Sequence, residues 1–525
     1  MLFILVAGLG AFVAFLYAYI RLNDAKLEVL PPEATKYSPE RFTPESTHAV
    51  AEKLKREPIS VKQHLPLKTG RRYIVIGGAG FLGGWIVLQL IERGEDPRRI
   101  RILDIRQPTR PDLLSGPAKS VAFFKVDVSD SKAVDDAFTA PWPLPEEDAH
   151  TTVFHTAANI RFYERHLSLL PRSTRVNEQG VQNVISAAKA IGASAMVYTS
   201  SGSVAVRRSR FWLWPWEREP AHFVQLIDDN DALVPTRHDD FFSNYAASKI
   251  RGERAVRAAH LSPTSKDGRR LRTGCVRPGN GVFGPGGDIL CGAYLVRKHN
   301  PTWVNHILHS FVYIENCALA HLQYEACLLA SSADAPSSSG SASPSRPDVG
   351  GQAFTITDAG PPMTYGDAYT ALNTLDPETV FPRMSSTAML LLAQLFEAIY
   401  LTRAFLTAPS APPLVRALAR ALVPDLDGDV VNLQPPLFAL TSVHLVFDDS
   451  RARRAPEQGG IGYSGPYTSL QGLCRTAEDY FKAGQNGEER SMSGGVSFGF
   501  GMVKAQRGVD KVQRAVEKGA ETIPN

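Results

Sequence analysis

The chain has 525 residues, and 57 Lys plus Arg against 53 Asp plus Glu leave a formal charge of only +4. That length supports a large α/β unit with a core of its own, while the near balance of charge speaks against a nucleic-acid footprint. Five scattered cysteines (Cys275, Cys291, Cys317, Cys327, Cys474) show no C-x-x-C spacing, so reduced thiols are expected, with no disulfide framework and no metal site. Residues 1–20 carry no charged side chain, and a helix of that length covers roughly 30 Å of hydrocarbon. A transmembrane anchor is predicted there rather than a cleaved signal, because no basic stretch precedes the apolar run. Arg21 and Lys26 follow it, which places the body on the cytoplasmic side. Residues 21–70 are polar and proline-bearing, as in a linker with a short helix near 49–56.

The folded body is expected from Arg71. Tyr73-Ile74-Val75-Ile76 reads as a strand, Gly77-Gly78-Ala79-Gly80 as a turn, and the pattern from Phe81 onward as a helix. Gly77 suits a tight turn, Gly80 a close backbone approach to a pyrophosphate, and Gly83 close packing of helix on strand. The amides at Phe81, Leu82 and Gly83 then open the helix end that attracts the anion. Strand-like runs recur at 100–105, 121–126, 152–156 and 195–200, separated by helical segments such as 177–190. This alternation predicts a Rossmann-type α/β fold, a doubly wound parallel sheet, spanning 71–275 and interrupted by an aromatic insertion at 205–240. Asp104, closing the second strand, suits the ribose hydroxyls of NAD and repels a 2′-phosphate; Arg106 nearby softens that preference.

Tyr245-Ala246-Ala247-Ser248-Lys249 puts a phenol and an amine on one helix face. A phenol titrating near pH 10 needs positive charge beside it to become a base at working pH, so Tyr245 and Lys249 are catalytic candidates, both also near the cofactor. Ser201, at the end of the fifth strand, is the candidate for orienting the reacting oxygen, with Ser200 and Ser203 as rivals because one residue of register reverses a strand side chain.

The Gly-x-x-Gly-x-x-Gly turn with Tyr-x-x-x-Lys resembles the extended short-chain dehydrogenase/reductase family. That resemblance implies cofactor contacts from Asp127-Val128, from Ala157 and Ala158 in Phe154-His155-Thr156-Ala157-Ala158, and from Pro278. Asn177, Gly180 and Asn183 match the family's next helix, where packing competes with cofactor contact. Arg277 to Gly286 looks like a substrate loop. Phe311 to Asn316, Phe354 to Asp358, Gly462-Tyr463, and Leu470 with Gly472 and Leu473 complete a likeness to the 3β-hydroxysteroid and sterol-4α-carboxylate 3-dehydrogenase group. Ile76 and Ser310 depart from the usual Thr and Asp.

A smaller C-terminal substrate-binding subdomain is expected over 276–483, with a disordered insertion at 331–349 and a flexible tail at 484–525. The helix at 387–405 is read as lying on a surface rather than spanning, because Gln394, Glu397 and Arg403 interrupt it. Trp212, Trp214 and Trp216 beside Arg207, Arg208, Arg210 and Arg218 suit a membrane interface or a packed loop. The implied activity is NAD-dependent oxidation of a sterol-like 3β-alcohol at an endoplasmic-reticulum membrane, with decarboxylation where a neighbouring carboxylate permits. The alternatives are a sugar-nucleotide epimerase, a carbonyl reductase or a silent NAD(H)-binding scaffold. A lipid-like substrate and the membrane are the expected partners, with a homodimer or a complex of sterol enzymes as further ones.

Overall fold

The computed structural model describes residues 2–144, 149–266, 268–288, 290–331 and 347–483. The tail 484–525, and the insertion 331–349 apart from its ends, lie outside the described residues.

Seven parallel strands form the central sheet: β1 (Arg72–Ile76), β2 (Ile100–Asp104), β3 (Ala122–Lys125), β4 (Thr151–His155), β5 (Ala195–Thr199), β6 (Arg270–Pro278) and β7 (Ala353–Ile356). They lie side by side as β3-β2-β1-β4-β5-β6-β7, and the two-residue strand Ser262–Pro263 pairs antiparallel with the start of β6. The inner strands are short apolar runs because both faces are covered. One face, with Val75, Phe154, Val197 and Phe354, packs on the helices α2 (Phe81–Glu92) and, farther along the chain, Ile314–Ala330. The other, with Ile74, Val153, Met196 and Tyr198, packs on Val181–Ala190 and on α3 (Asn244–Ala258). The strand order reverses between β1 and β4, which opens a crevice at their carboxyl ends.

The largest core cluster lies beside the parallel sheet, around Phe211, Phe283, Trp303, Tyr365 and Phe438. A four-stranded sheet runs through this unit: Met363–Thr364, Leu308–His309, His444–Phe447 and Val224–Ile227. A division of the chain at 275 cuts through β6, whose pairing with β7 continues to Pro278 and Ile356. The two layers are therefore interleaved along the chain.

Residues 21–70 are not a bare tether. The N-terminal helix, α1, runs from Leu2 to Leu27, and Thr43 caps a further helix, Pro44–Arg56. Asn23 is buried, with its amide donating to the Phe211 carbonyl at 3.0 Å and the Thr387 hydroxyl at 2.9 Å. Arg41 pairs with Asp367 at 2.6 Å. The segment docks through directional polar bonds, which a polar composition conceals.

The helix Ser386–Leu406 lies along the body. Among the described residues it and the N-terminal helix are the two long and apolar enough to cross a membrane. Of its interrupting charges, Glu397 turns inward and accepts from Arg165 at 2.6 and 2.5 Å, while Arg403 pairs with the exposed Asp425 at 3.1 Å.

Candidate active site

The glycine turn follows β1 directly. Gly77 has φ of 78°, and a Cβ there would sit 2.7 Å from the Ala157 amide; a Cβ on Gly83 would sit 2.2 Å from the Gly77 carbonyl. Side chains are excluded at both points, so α2 begins hard against the turn. Gly80 is the helix cap and offers no capping side chain, which leaves the first amides of α2, at Phe81, Leu82 and Gly83, facing the crevice. Asp104 stands beside this turn, accepting from the Ala79 and Arg106 amides at 3.2 Å each. Burial holds its carboxyl above the ordinary range, partly offset by those amides. Such a cradle fits a dinucleotide: small, amide-lined at the pyrophosphate position and acidic at the adenosine ribose.

The remaining cofactor candidates divide. Ala157 abuts Gly77, with Ala158 next to it, and Pro278 ends β6 beside Gly202. Asp127 is half exposed and caps its own turn by accepting from the Ser129 amide and hydroxyl at 2.9 and 2.7 Å. Val128 is buried under Gly180, where a Cβ would lie 2.7 Å from it, and Asn183 donates to the Val128 carbonyl at 2.9 Å. Asn177 donates to the Asn159 carbonyl at 3.0 Å and to the Ser248 hydroxyl at 2.9 Å, tying the loop after β4 to α3. These polar groups from the helix Val181–Ala190 and its π-helical lead-in Arg175–Gly180 are occupied in holding the frame.

Ser243 caps α3 by accepting from the Ala246 amide, and the first turns of that helix carry Tyr245 and Lys249. Burial raises the Tyr245 phenol to about 12, and the nearby Ser201 hydroxyl pulls it the other way. Ser201 is in turn bonded to the Ser203 hydroxyl at 2.7 Å. Ser200 points elsewhere: its buried hydroxyl donates to Glu253 at 2.6 Å. The structure thus sets Ser201 beside the phenol, Ser203 behind it, and Ser200 in the core.

Lys249 is buried and donates to the Thr199 carbonyl at 2.7 Å, with its nitrogen 4.1 Å from the centroid of the Tyr198 ring. Burial lowers its amine to about 7. The amine is already engaged by a carbonyl and a ring face.

Two features of the site escaped the sequence reading. Below Lys249, the His155 ring packs tilted against Tyr198 at 5.3 Å between centroids, and burial keeps its imidazole neutral, at about 3. One turn on from Lys249, Glu253 accepts from the Arg277 side chain at 2.9 and 2.6 Å, and Arg277 also reaches Asp231 at 2.9 Å. The i, i+4 spacing of Lys249 and Glu253 on a helix was a usable signal; the partner across the fold was not visible. Trp85 on α2 donates to the Pro285 carbonyl at 2.9 Å, joining the glycine-turn helix to the loop 279–288.

The two departures in the sequence are absorbed locally. Thr156 supplies the hydrogen bond to the turn, its hydroxyl donating to the Ile76 carbonyl at 2.9 Å. Ser310 accepts from the Phe447 amide at 3.0 Å, within the four-stranded sheet.

A reversal crevice bounded by a glycine turn and a Tyr–Lys helix defines a Rossmann protein of the short-chain dehydrogenase/reductase type. Residues 74–379 match the 3-beta hydroxysteroid dehydrogenase/isomerase family, and the chain belongs to it. Over 268 residues it is 26% identical to a 3 beta-hydroxysteroid dehydrogenase/Delta 5-->4-isomerase of Vaccinia virus, covering 48% of this chain and 65% of that protein. It is 28% identical over 298 residues to a decarboxylating sterol-4-alpha-carboxylate 3-dehydrogenase of Candida albicans (55% and 70% covered). With an Arabidopsis thaliana 3beta-hydroxysteroid-dehydrogenase/decarboxylase it shares 27% over 426 residues (79% and 62% covered). Among solved structures, an epimerase from Methanothermobacter thermautotrophicus superposes with TM-score 0.50 and 16% identity, covering 82% of this chain and 99% of that one. That likeness concerns the fold alone.

Proposed function

We propose that this protein oxidises the 3β-hydroxyl of a membrane-borne sterol-like alcohol with NAD, with Ser201, Tyr245 and Lys249 as its catalytic groups. The observation that carries the reading is that the first turns of α3 present Tyr245, with Ser201 close enough to act on its phenol, and Lys249 together, in a chain of this family. When bound, NAD accepts the hydride and brings positive charge on its oxidised ring. Ionised under the positive charge of that ring and of Lys249, the Tyr245 phenolate takes the hydroxyl proton, while the Ser201 hydroxyl, backed by Ser203, holds the substrate oxygen in line. Lys249 lies one turn along α3, where its amine can meet the nicotinamide ribose. Glycines 77, 80 and 83, the amides of Phe81 and Leu82, and Asp104 would hold the pyrophosphate and adenosine; Ala157, Ala158 and Pro278 would border the nicotinamide.

Where the substrate bears a carboxylate beside the new ketone, the product is a β-keto acid, which loses carbon dioxide without a further catalytic residue. The N-terminal helix as anchor, an endoplasmic-reticulum membrane and a cytosolic body fit such a substrate, which partitions into lipid.

Membranes containing the protein, supplied with NAD and 3β-hydroxysterols with and without a 4α-carboxylate, should generate NADH and a ketone. Tyr245→Phe should abolish turnover while NADH binding persists. Undiminished turnover in that variant would end the proposal. Asp104→Ala should erode discrimination against NADP, and an unchanged cofactor ratio would count against its ribose role.

A further inference from the structure

The helices of the substrate side continue the numbering: Ser386–Leu406 is α4 and Pro413–Leu422 is α5. An amphipathic helix on a globular protein normally turns its apolar stripe to the core, and α5 does the reverse. Leu414, Leu418 and Leu422, spaced four apart on one side, are 71%, 50% and 76% exposed, and Ala417 and Ala421 are exposed beside them. The one buried residue of α5 is Ala419. The outward side of α4, with Ala388, Leu391, Leu395, Ala398 and Phe405, is likewise exposed and carries no charge.

These surfaces are joined to the N-terminal helix by specific bonds. Asp24 accepts from the Thr387 amide at the start of α4 at 2.8 Å. Tyr19 donates to the Leu213 carbonyl at 3.1 Å, and Lys26 donates to the Trp214 and Pro215 carbonyls at 2.9 Å each. Trp214 and Trp216 stack at 5.3 Å and are 58% and 75% exposed. Arg403 of α4 holds the end of α5 by donating to the Val423 carbonyl. A helix whose Leu9, Phe12 and Phe15 are exposed is thus fastened to an indole pair at the level of Lys26 and, through α4, to the outward leucines.

We propose that α5 lies flat in the headgroup–acyl boundary of the bilayer that holds the N-terminal helix, its leucines toward the acyl chains and Arg416 and Arg420 toward phosphates, with Trp214 and Trp216 at the same interface. Amphipathic helices bearing arginines and leucines in this arrangement insert about 5–10 Å into such a boundary, and indoles favour that depth. The proposal rests on the reading of the N-terminal helix as an anchor. It adds that the body is held against the membrane at a second place, so the substrate side faces lipid rather than swinging on a stalk.

The test uses the full chain in mixed phosphatidylcholine–phosphatidylserine vesicles. All five native cysteines are buried, so an environment-sensitive fluorophore can be placed separately on Leu418→Cys, Phe12→Cys and Lys132→Cys. Quenching by shallow and deep nitroxide lipids is compared with quenching by iodide in the water. The label on Leu418→Cys should be quenched several-fold more by shallow nitroxide than by iodide, that on Phe12→Cys by deep nitroxide, and that on Lys132→Cys by iodide. Iodide quenching at 418 with lipid quenching at 12 would overturn the docking and leave the anchor standing. Protection at 418 from both quenchers would assign the leucines to a protein partner or a second copy and overturn the proposal. Iodide quenching at 12 would overturn anchor and docking together. Loss of NADH formation without change in these depths would bear on the catalytic reading alone.

Discussion

The amine of Lys249 lies over the ring of Tyr198, 4.1 Å from its centroid, while donating to the carbonyl of the very next residue, Thr199. Strand β5 thus delivers a π face and a carbonyl to the same cation. A cation–π contact of roughly 0.5–2 kcal/mol moves an amine by up to about one and a half pH units. Tyr198→Leu should therefore draw the Lys249 titration to lower pH by up to about that amount, and Tyr198→Phe should leave it in place. The pH profile of kcat/KM checks this, and equal shifts in both variants would point to the hydroxyl instead of the ring.

The same amine makes stability depend on pH. Burial lowers Lys249 to about 7, below the 10.5 of an ordinary lysine. Between those values the unfolded chain holds more protons on this group than the folded one, so its contribution to stability rises with pH across that window. Lys249→Met should flatten the rise. Urea midpoints at about pH 7 and about pH 9 measure it, and an equally steep rise in the variant would exclude Lys249 as its source.

Adjacent serines should respond differently. Ser201→Ala should lower kcat by about 10²–10³, with the melting temperature and NADH affinity kept. Ser200→Ala leaves Glu253 short of a buried donor and should cost about 1–3 kcal/mol of stability with smaller effect on kcat. Exchange of these two outcomes would mean that the serines trade roles.

Glu253 and Arg277 are both buried and doubly bonded. Arg277→Met leaves the Glu253 carboxylate only the Ser200 hydroxyl and a longer contact with Arg257 at 3.3 Å, and should destabilise by about 3–5 kcal/mol. Pairing it with Glu253→Leu should recover much of that loss, since no uncompensated charge remains. Denaturant unfolding of both variants decides it, and additive losses would show the two residues to be independent.

The glycine turn, the Tyr–Lys helix and the strands 100–105 and 195–200 were legible because each is written in a short stretch of chain. Asp104 and Ser201 were legible as positions at strand ends. The choice among Ser200, Ser201 and Ser203 was not, because it depends on Glu253 reaching the strand end from another helix. The docking of 21–70 was hidden for a related reason: Asn23 and Asp24 look like solvent-facing polar residues until their partners Phe211 and Thr387 are brought alongside. His155 and Tyr198 meet across two neighbouring strands, which no single segment announces.

The chain leaves the helix Ile314–Ala330 and re-enters at β7 near Arg272, which donates to the Ser331 carbonyl at 2.5 Å and to Asp348 at 3.2 Å. Both ends of the segment 331–349 are therefore clasped by one side chain near the beginning of β6, at the pole of the sheet away from Tyr245. Lengthening a connection whose ends are already together costs little entropy. This makes the segment a natural port for a fluorescent reporter or affinity handle, able to follow the protein in cells without intruding on the crevice.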